Sequence, residues 1–228
     1  MRFFWSVVSI SIGSSIGYYF SGSILAFLVR PLHQKIYYTS PTGGFELVFQ
    51  VSFLFGVITA APIIVYHILR FLEPAMPKSS EKKIVGFLIA SWFCMLAGVS
   101  VAYYVSLPAA LNFLQSFGTG TITSLISTND YFSFVSRYLL GFAALFQLPI
   151  IMLAINAITR LRPRMLLSYL RVVILVSFIL AAIITPTPDM VNQTIMALPI
   201  ILLYLLSIIV IWAVNSSKPQ KAPAIVSE

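Results

Sequence analysis

Long apolar runs separated by short polar stretches dominate the chain. Six runs are candidates for membrane spans: about Phe4–Val29, Phe45–Leu69, Ile84–Leu107, Tyr131–Ile158, Leu166–Ile184 and Val191–Val214. A hydrocarbon core about 30 Å thick takes about 20 helical residues, and five of the six runs supply that length. The fifth is weaker, because Arg171 leaves an uninterrupted stretch of only Val172–Ile184. At 1.5 Å per residue that stretch covers about 20 Å, so the fifth span is short for a bilayer or thins it locally. Arg171 lengthens it somewhat by snorkelling to the surface. The turn Thr185-Pro186-Thr187-Pro188-Asp189 is too short and stiff for anything but a tight antiparallel hairpin between spans five and six. The first run exceeds a signal-peptide core and has no clear small-x-small cleavage site, so it reads as a retained helix.

Composition changes the picture by fixing the solvent. Hydrophobic residues make up 59% of the 228 and charged residues 9%, against about 25% charged in soluble domains. The predicted class is therefore an all-α polytopic membrane protein of six transmembrane helices over residues 1–214. Residues 215–228, with Pro219 and Pro223, read as a disordered cytoplasmic tail.

The net charge of +8 suggests nucleic acid only if the basic residues share a face. They sit instead in clusters between apolar runs. With six spans, one side collects Arg2, Arg70, Lys78, Lys82, Lys83, Arg160, Arg162, Arg164, Lys218 and Lys221, and the other Arg30 and Lys35. Ten against two by that count places both termini in the cytoplasm, and makes 108–130, without Lys or Arg, a translocated loop.

Candidate chemistry is sparse. One cysteine, Cys94, and two histidines, His33 and His67, make neither a disulfide nor a metal set. No HExxH, Walker A or GxGxxG pattern occurs, and no span carries a His, Asp and Glu cluster. The reading is no enzyme and no cofactor. Polar residues inside the spans are then the informative ones. Gln147 seeks either a partner within the bundle or a second helix. Arg137, among Tyr131, Phe132, Phe134 and Tyr138, reads as a snorkelling interfacial residue. Ser9, Gly13, Gly17 and Ser21 recur every four residues and let another helix approach closely, within the chain or from a partner. Ser79-Ser80-Glu81 suits a helix N-terminus.

An ordered set of segments carries a family resemblance from about Leu32 to Trp212. It comprises Ser40-Pro41-Thr42; Ala61 to Tyr66; Arg70-Phe71-Leu72-Glu73-Pro74; Glu81-Lys82-Lys83; Ala97 to Tyr104 with Leu107-Pro108; Asp130 to Val135; Phe146-Gln147-Leu148-Pro149; Thr185 to Asp189; Gln193; and Ala197-Leu198-Pro199. Together they resemble the TatC family of twin-arginine translocation. TatC proteins usually begin with an amphipathic stretch before the first helix. Here Met1-Arg2-Phe3-Phe4-Trp5 enters an apolar run at once.

The resemblance implies a glove-shaped six-helix receptor in the inner or plasma membrane, with short fifth and sixth helices. It implies binding of twin-arginine signal peptides of folded cargo, TatA/TatB-type single-span partners, and a homo-oligomer within a translocase complex driven by the proton-motive force. Membrane lipid is its surrounding and nucleic acid is no partner. Glu81 matches the glutamate that meets the arginines, which a carboxylate can bind bidentately; Phe71 matches an aromatic at the same surface, and Glu73 adds negative potential. Gln147, where many relatives have glutamate, implies a partner-helix contact formed with Thr185. Pro41, Tyr103, Pro149 and Asp189 fall at family positions of structural character. The competing readings are a small-molecule transporter, for which convergent ionisable groups or paired halves are missing, and a TatC-like scaffold without receptor activity.

Overall fold

The computed structural model describes residues 2–32, 34, 36–72, 81–116, 126–185 and 189–216. Ten helices form in order: α1 (Arg2–Tyr19), α2 (Ser21–Val29), α3 (Gly43–Leu72), α4 (Glu81–Val101), α5 (Leu107–Gln115), α6 (Thr128–Leu145), α7 (Leu148–Ile158), α8 (Pro163–Ser168), α9 (Leu170–Ile184) and α10 (Met190–Ser216). Four described stretches are long and apolar enough to cross a membrane: Gly43–Ile68, Val85–Gln115, Thr128–Ile158 and Met190–Ser216. The first predicted span is a bent pair and the fifth is the short α9.

Four predicted spans differ in detail from continuous helices, the fifth by a break at Tyr169 between α8 and α9. The apolar run Phe4–Val29 breaks at Phe20, and α1 and α2 meet at 77°. Phe20 leaves helical geometry at φ −95°, ψ 9°, just before Ser21-Gly22-Ser23, the kind of sequence at which helices kink. The third span continues beyond Leu107 to Gln115, through a π-helical turn at Ala102–Ser106. Pro108, near the start of α5, has no N–H to give to the preceding turn, and the wider turn absorbs that loss. The predicted loop 108–130 therefore begins only after α5. In the fourth span, Phe146 and Gln147 form a turn between α6 and α7, with Pro149 in the first turn of α7. Pro199, by contrast, lies inside an unbroken α10.

The core gathers around α6, whose Tyr131, Phe132, Val135, Tyr138, Leu139 and Phe142 are all buried. Many large apolar side chains face outward, including Phe45 at 76% exposure and Ile183 at 72%. In water such a surface would aggregate; in lipid it is the proper solvent contact. α1 lies against α3, where the small-residue stripe is used inside the chain: Gly13 faces Thr59 and Gly56, and Gly17 faces Phe55 and Ser52. Gly98 serves the α4–α6 contact, since a Cβ there would stand 2.8 Å from the Phe146 side chain.

Backbone groups left open at the C-terminal end of α2 find partners within the protein, as lipid requires. The last carbonyls of α2 accept hydrogen bonds from tyrosines on two other helical segments. Tyr103 Oη donates to Phe27 O at 2.6 Å, and Tyr131 Oη donates to Leu28 O at 2.7 Å. The Phe27 and Tyr103 rings stack at 4.2 Å. Above them the two loops of this side pair in parallel, Ile36 with Ile126 and Tyr37 with Ser127 (β1, Ile36–Tyr37; β2, Ile126–Ser127). Glu46 joins the same side together, accepting from Thr42 Oγ1 at 2.8 Å and from Asn129 Nδ2 at 2.7 Å.

Candidate functional site

At the opposite end of the bundle, α3 runs to Leu72 and α4 starts at Glu81. Phe71 thus belongs to the last turn of α3 and Glu81 is the first residue of α4, while Glu73 lies outside the described residues. Residues 73–80, between these two helix ends in the chain, lie outside the described residues. Glu81 at a helix N-terminus lies where the helix dipole favours a negative charge.

Gln147 lies in the turn between α6 and α7, and both ends of its amide engage α4. Ser91 Oγ donates to Gln147 Oε1 at 2.6 Å, and Gln147 Nε2 donates to the Ser91 carbonyl at 3.2 Å. Ser91 is buried. This reciprocal pair is the partner that the sequence left unnamed; Ser91 is one of three serines within the run Ile84–Leu107, and nothing in the run singles it out. Gln147 also forms part of the wall of a groove of about 410 Å³ between α3 and α6–α7, lined mostly by apolar residues such as Ala61, Ile64, Leu140 and Ile151. An amide there can hydrogen-bond another helix but cannot carry a proton in transit.

Thr185 is buried at the end of α9, and its Oγ1 donates to Ala181 O at 2.8 Å. No hydrogen bond among the described residues joins it to Gln147. Asp189 caps α10: Oδ1 accepts from Asn192 N at 2.6 Å and Oδ2 from Asn192 Nδ2 at 3.0 Å. Gln193 Nε2 donates to Phe178 O at 2.8 Å, closing the hairpin of α9 and α10. Pro41 lies exposed in the turn before α3, Pro149 is buried at the start of α7, and Tyr103 holds α2 as described. Among the described residues no group of three His, Cys, Asp or Glu could hold a metal.

A further polar cluster escaped the sequence reading. Asn156 on α7 and Asn215 on α10 exchange amide hydrogen bonds, Asn156 Nδ2 to Asn215 Oδ1 at 3.1 Å and Asn215 Nδ2 to Asn156 Oδ1 at 3.3 Å. Leu161 N donates to Asn156 Oδ1 at 2.9 Å, Asn215 Nδ2 donates to Leu161 O at 3.0 Å, and Arg160 Nη2 donates to Asn215 O at 2.9 Å. The cluster locks the 159–162 connection against the end of α10. Its members are 59 residues apart in the chain, with no motif to link them.

Known proteins share this build. The family model "Sec-independent protein translocase protein (TatC)" matches residues 1–199. The TatC protein of Aquifex aeolicus is 31% identical over 214 residues, covering 91% of this chain and 88% of its own length. That of Helicobacter pylori strain 26695 is 33% identical over 198 residues, covering 87% of this chain and 78% of its own. A crystal structure of the twin-arginine translocase receptor TatC superposes with a TM-score of 0.83 at 30% identity, covering 92% of this chain and 95% of that one. With a family model over most of its length, relatives above 30% identity and a shared bundle, the chain belongs to the TatC family of Sec-independent protein translocase proteins.

Proposed function

We propose that this protein is the signal-peptide receptor subunit of a twin-arginine translocase. It sits in the inner or plasma membrane with both termini in the cytoplasm, and works with TatA/TatB-type single-span partners in a complex containing more than one copy. Translocation of the folded cargo draws on the proton-motive force. The observation that carries the reading is the family match over residues 1–199, joined to Glu81 being the first residue of α4, the helix that follows α3 in the chain. A carboxylate at that position combines the helix dipole, which keeps it ionised, with bidentate acceptance of guanidinium hydrogen bonds. Phe71 supplies an aromatic face for an arginine plane, and Glu73 adds to the negative potential.

The partner helix lies along the groove that Gln147 lines, with Thr185 contributing from the neighbouring hairpin. The Gln147 amide has a second N–H beyond the one given to Ser91, available to a helix entering that groove. Photocross-linkers at positions 71 and 81, in membranes containing the partners, test the receptor patch directly. Crosslinks to a twin-arginine peptide that vanish with a twin-lysine peptide support it. Equal crosslinking to both peptides, or none, removes Glu81 and Phe71 from the role.

A further inference from the structure

Arg137 is the tenth residue of the 31-residue span Thr128–Ile158, so its backbone lies about 14 Å along α6 from the start of the helix. It is exposed, and no hydrogen bond or ion pair engages it among the described residues. An arginine at such depth facing lipid is costly, and where found it has a partner. Its surroundings show what that partner is.

Two contacts fix its level. One turn before it, Ser133 accepts a hydrogen bond from Gln50 Nε2 of α3 at 3.2 Å. One turn after it, Gly141 packs against Ile184 and Met196, its missing Cβ being only 3.0 Å from the Ile184 side chain. Ile184 is the last residue of α9. Arg137 therefore stands about one turn beyond the end of α9, although it is well inside α6. With 15 residues, α9 spans about 22 Å, about 8 Å less than an ordinary hydrocarbon core. Thr185 and Asp189 follow it and are polar, and the edge of the hydrocarbon beside this hairpin has to fall to meet them. The lowered edge brings lipid headgroups to the depth of Arg137.

We infer that Arg137 is a binding site for the phosphate of a membrane phospholipid, in the leaflet on the β1–β2 side, at a depression made by the short α9. The guanidinium plane offers parallel N–H donors that fit two phosphate oxygens, which a compact ammonium cannot match. Asp189, the acid of the α9–α10 turn, accepts from Asn192 through both carboxylate oxygens, and no ion pair joins it to Arg137 among the described residues. The apolar rim is supplied by Leu140 toward the α3 groove and Ile183 on α9, which is 72% exposed. The inference concerns the lipid contact and stands apart from the signal-peptide reading.

The experiment uses the full chain with guanidino-13C arginine in phosphatidylethanolamine–phosphatidylglycerol vesicles, reading 31P-dependent dephasing of the guanidinium carbon. Wild type minus Arg137→Gln is expected to leave a dephased signal, meaning one guanidinium in direct contact with phosphate. In native mass spectrometry, Arg137→Gln is expected to retain one phospholipid fewer than wild type, while Arg137→Lys, which keeps the charge, retains it in part. The Lys variant also keeps the inference testable if the Gln variant does not fold. A difference spectrum with no dephasing, or lipid retention identical in all three proteins, overturns the proposal. So does loss of the dephasing when a single-span partner is added, since the arginine would then pair with a protein carboxylate.

Discussion

The two ends of the bundle solve the same problem with different chemistry. On the β1–β2 side, carbonyls at the end of α2 are met by hydroxyls of Tyr103 and Tyr131. On the other side, the 159–162 connection is met by the amides of Asn156 and Asn215, and its own Arg160 guanidinium donates to the Asn215 carbonyl at the end of α10. A tyrosine brings one hydroxyl on a large apolar body, so it can rise through the core and spend its polarity at a single carbonyl. An asparagine pair offers several donors and acceptors in a small volume, which suits a loop with many loose backbone groups. The first device ties distant helices together; the second locks one corner. The difference teaches that backbone breaks near lipid are tolerated where a polar group has been positioned in advance.

Removing the asparagine corner has the largest expected effect. Asn156→Leu strands Leu161 N–H and Asn215 Oδ1 together, and costs about 3 kcal/mol, the upper range for orphaned buried polar groups. Thermal unfolding in detergent reads the loss, and hydrogen exchange places it at 159–162. Tyr131→Phe strands one carbonyl and costs about 1.5 kcal/mol, with faster exchange confined to α2. If both substitutions loosen the same region, the two ends are not separate devices.

Smaller effects sharpen the contrast. Asp189→Ala removes a single helix cap and costs about 1 kcal/mol, read as a lower unfolding midpoint with the α3–α6 groove unchanged. Ser91→Ala takes one hydrogen bond from Gln147 within the membrane and costs about 0.6 kcal/mol. A disulfide scan from position 151, in the same groove, to a partner helix should strengthen in that variant, because the Gln147 amide oxygen is freed toward the groove.

Much of this architecture could be read from the residues, and the exceptions have physical causes. Apolar runs locate spans because the bilayer demands length and little else, and the short α9 followed from Arg171 and the Pro-rich turn. The 77° bend between α1 and α2 was hidden, because the run through Phe20 is apolar throughout and the tyrosines that hold the bend come from residues 103 and 131. The extension to Gln115 was hidden too, since Pro108 was read as an end where a π-helical turn carries the helix past it. In the site, Gln147 stood out as a polar residue in an apolar run, but which of several serines it meets depends on how α4 crosses α6 at Gly98. Asn156 and Asn215 lie near helix ends, where asparagine is ordinary, and their pairing is purely tertiary. Glu81 and Phe71 come from the family pattern alone, and their role in binding is proposed.

The most direct measurement of the central claim is the affinity of the full chain, in lipid nanodiscs with its partners, for a fluorescent twin-arginine peptide, compared with Glu81→Gln. Charge-assisted hydrogen bonds are worth about 1.5–3 kcal/mol, so the substitution should weaken binding at least about tenfold and leave a twin-lysine peptide's weaker binding unchanged. Unchanged affinity of the Glu81→Gln chain for the twin-arginine peptide, with the protein folded and assembled, would contradict a receptor built on the first turn of α4.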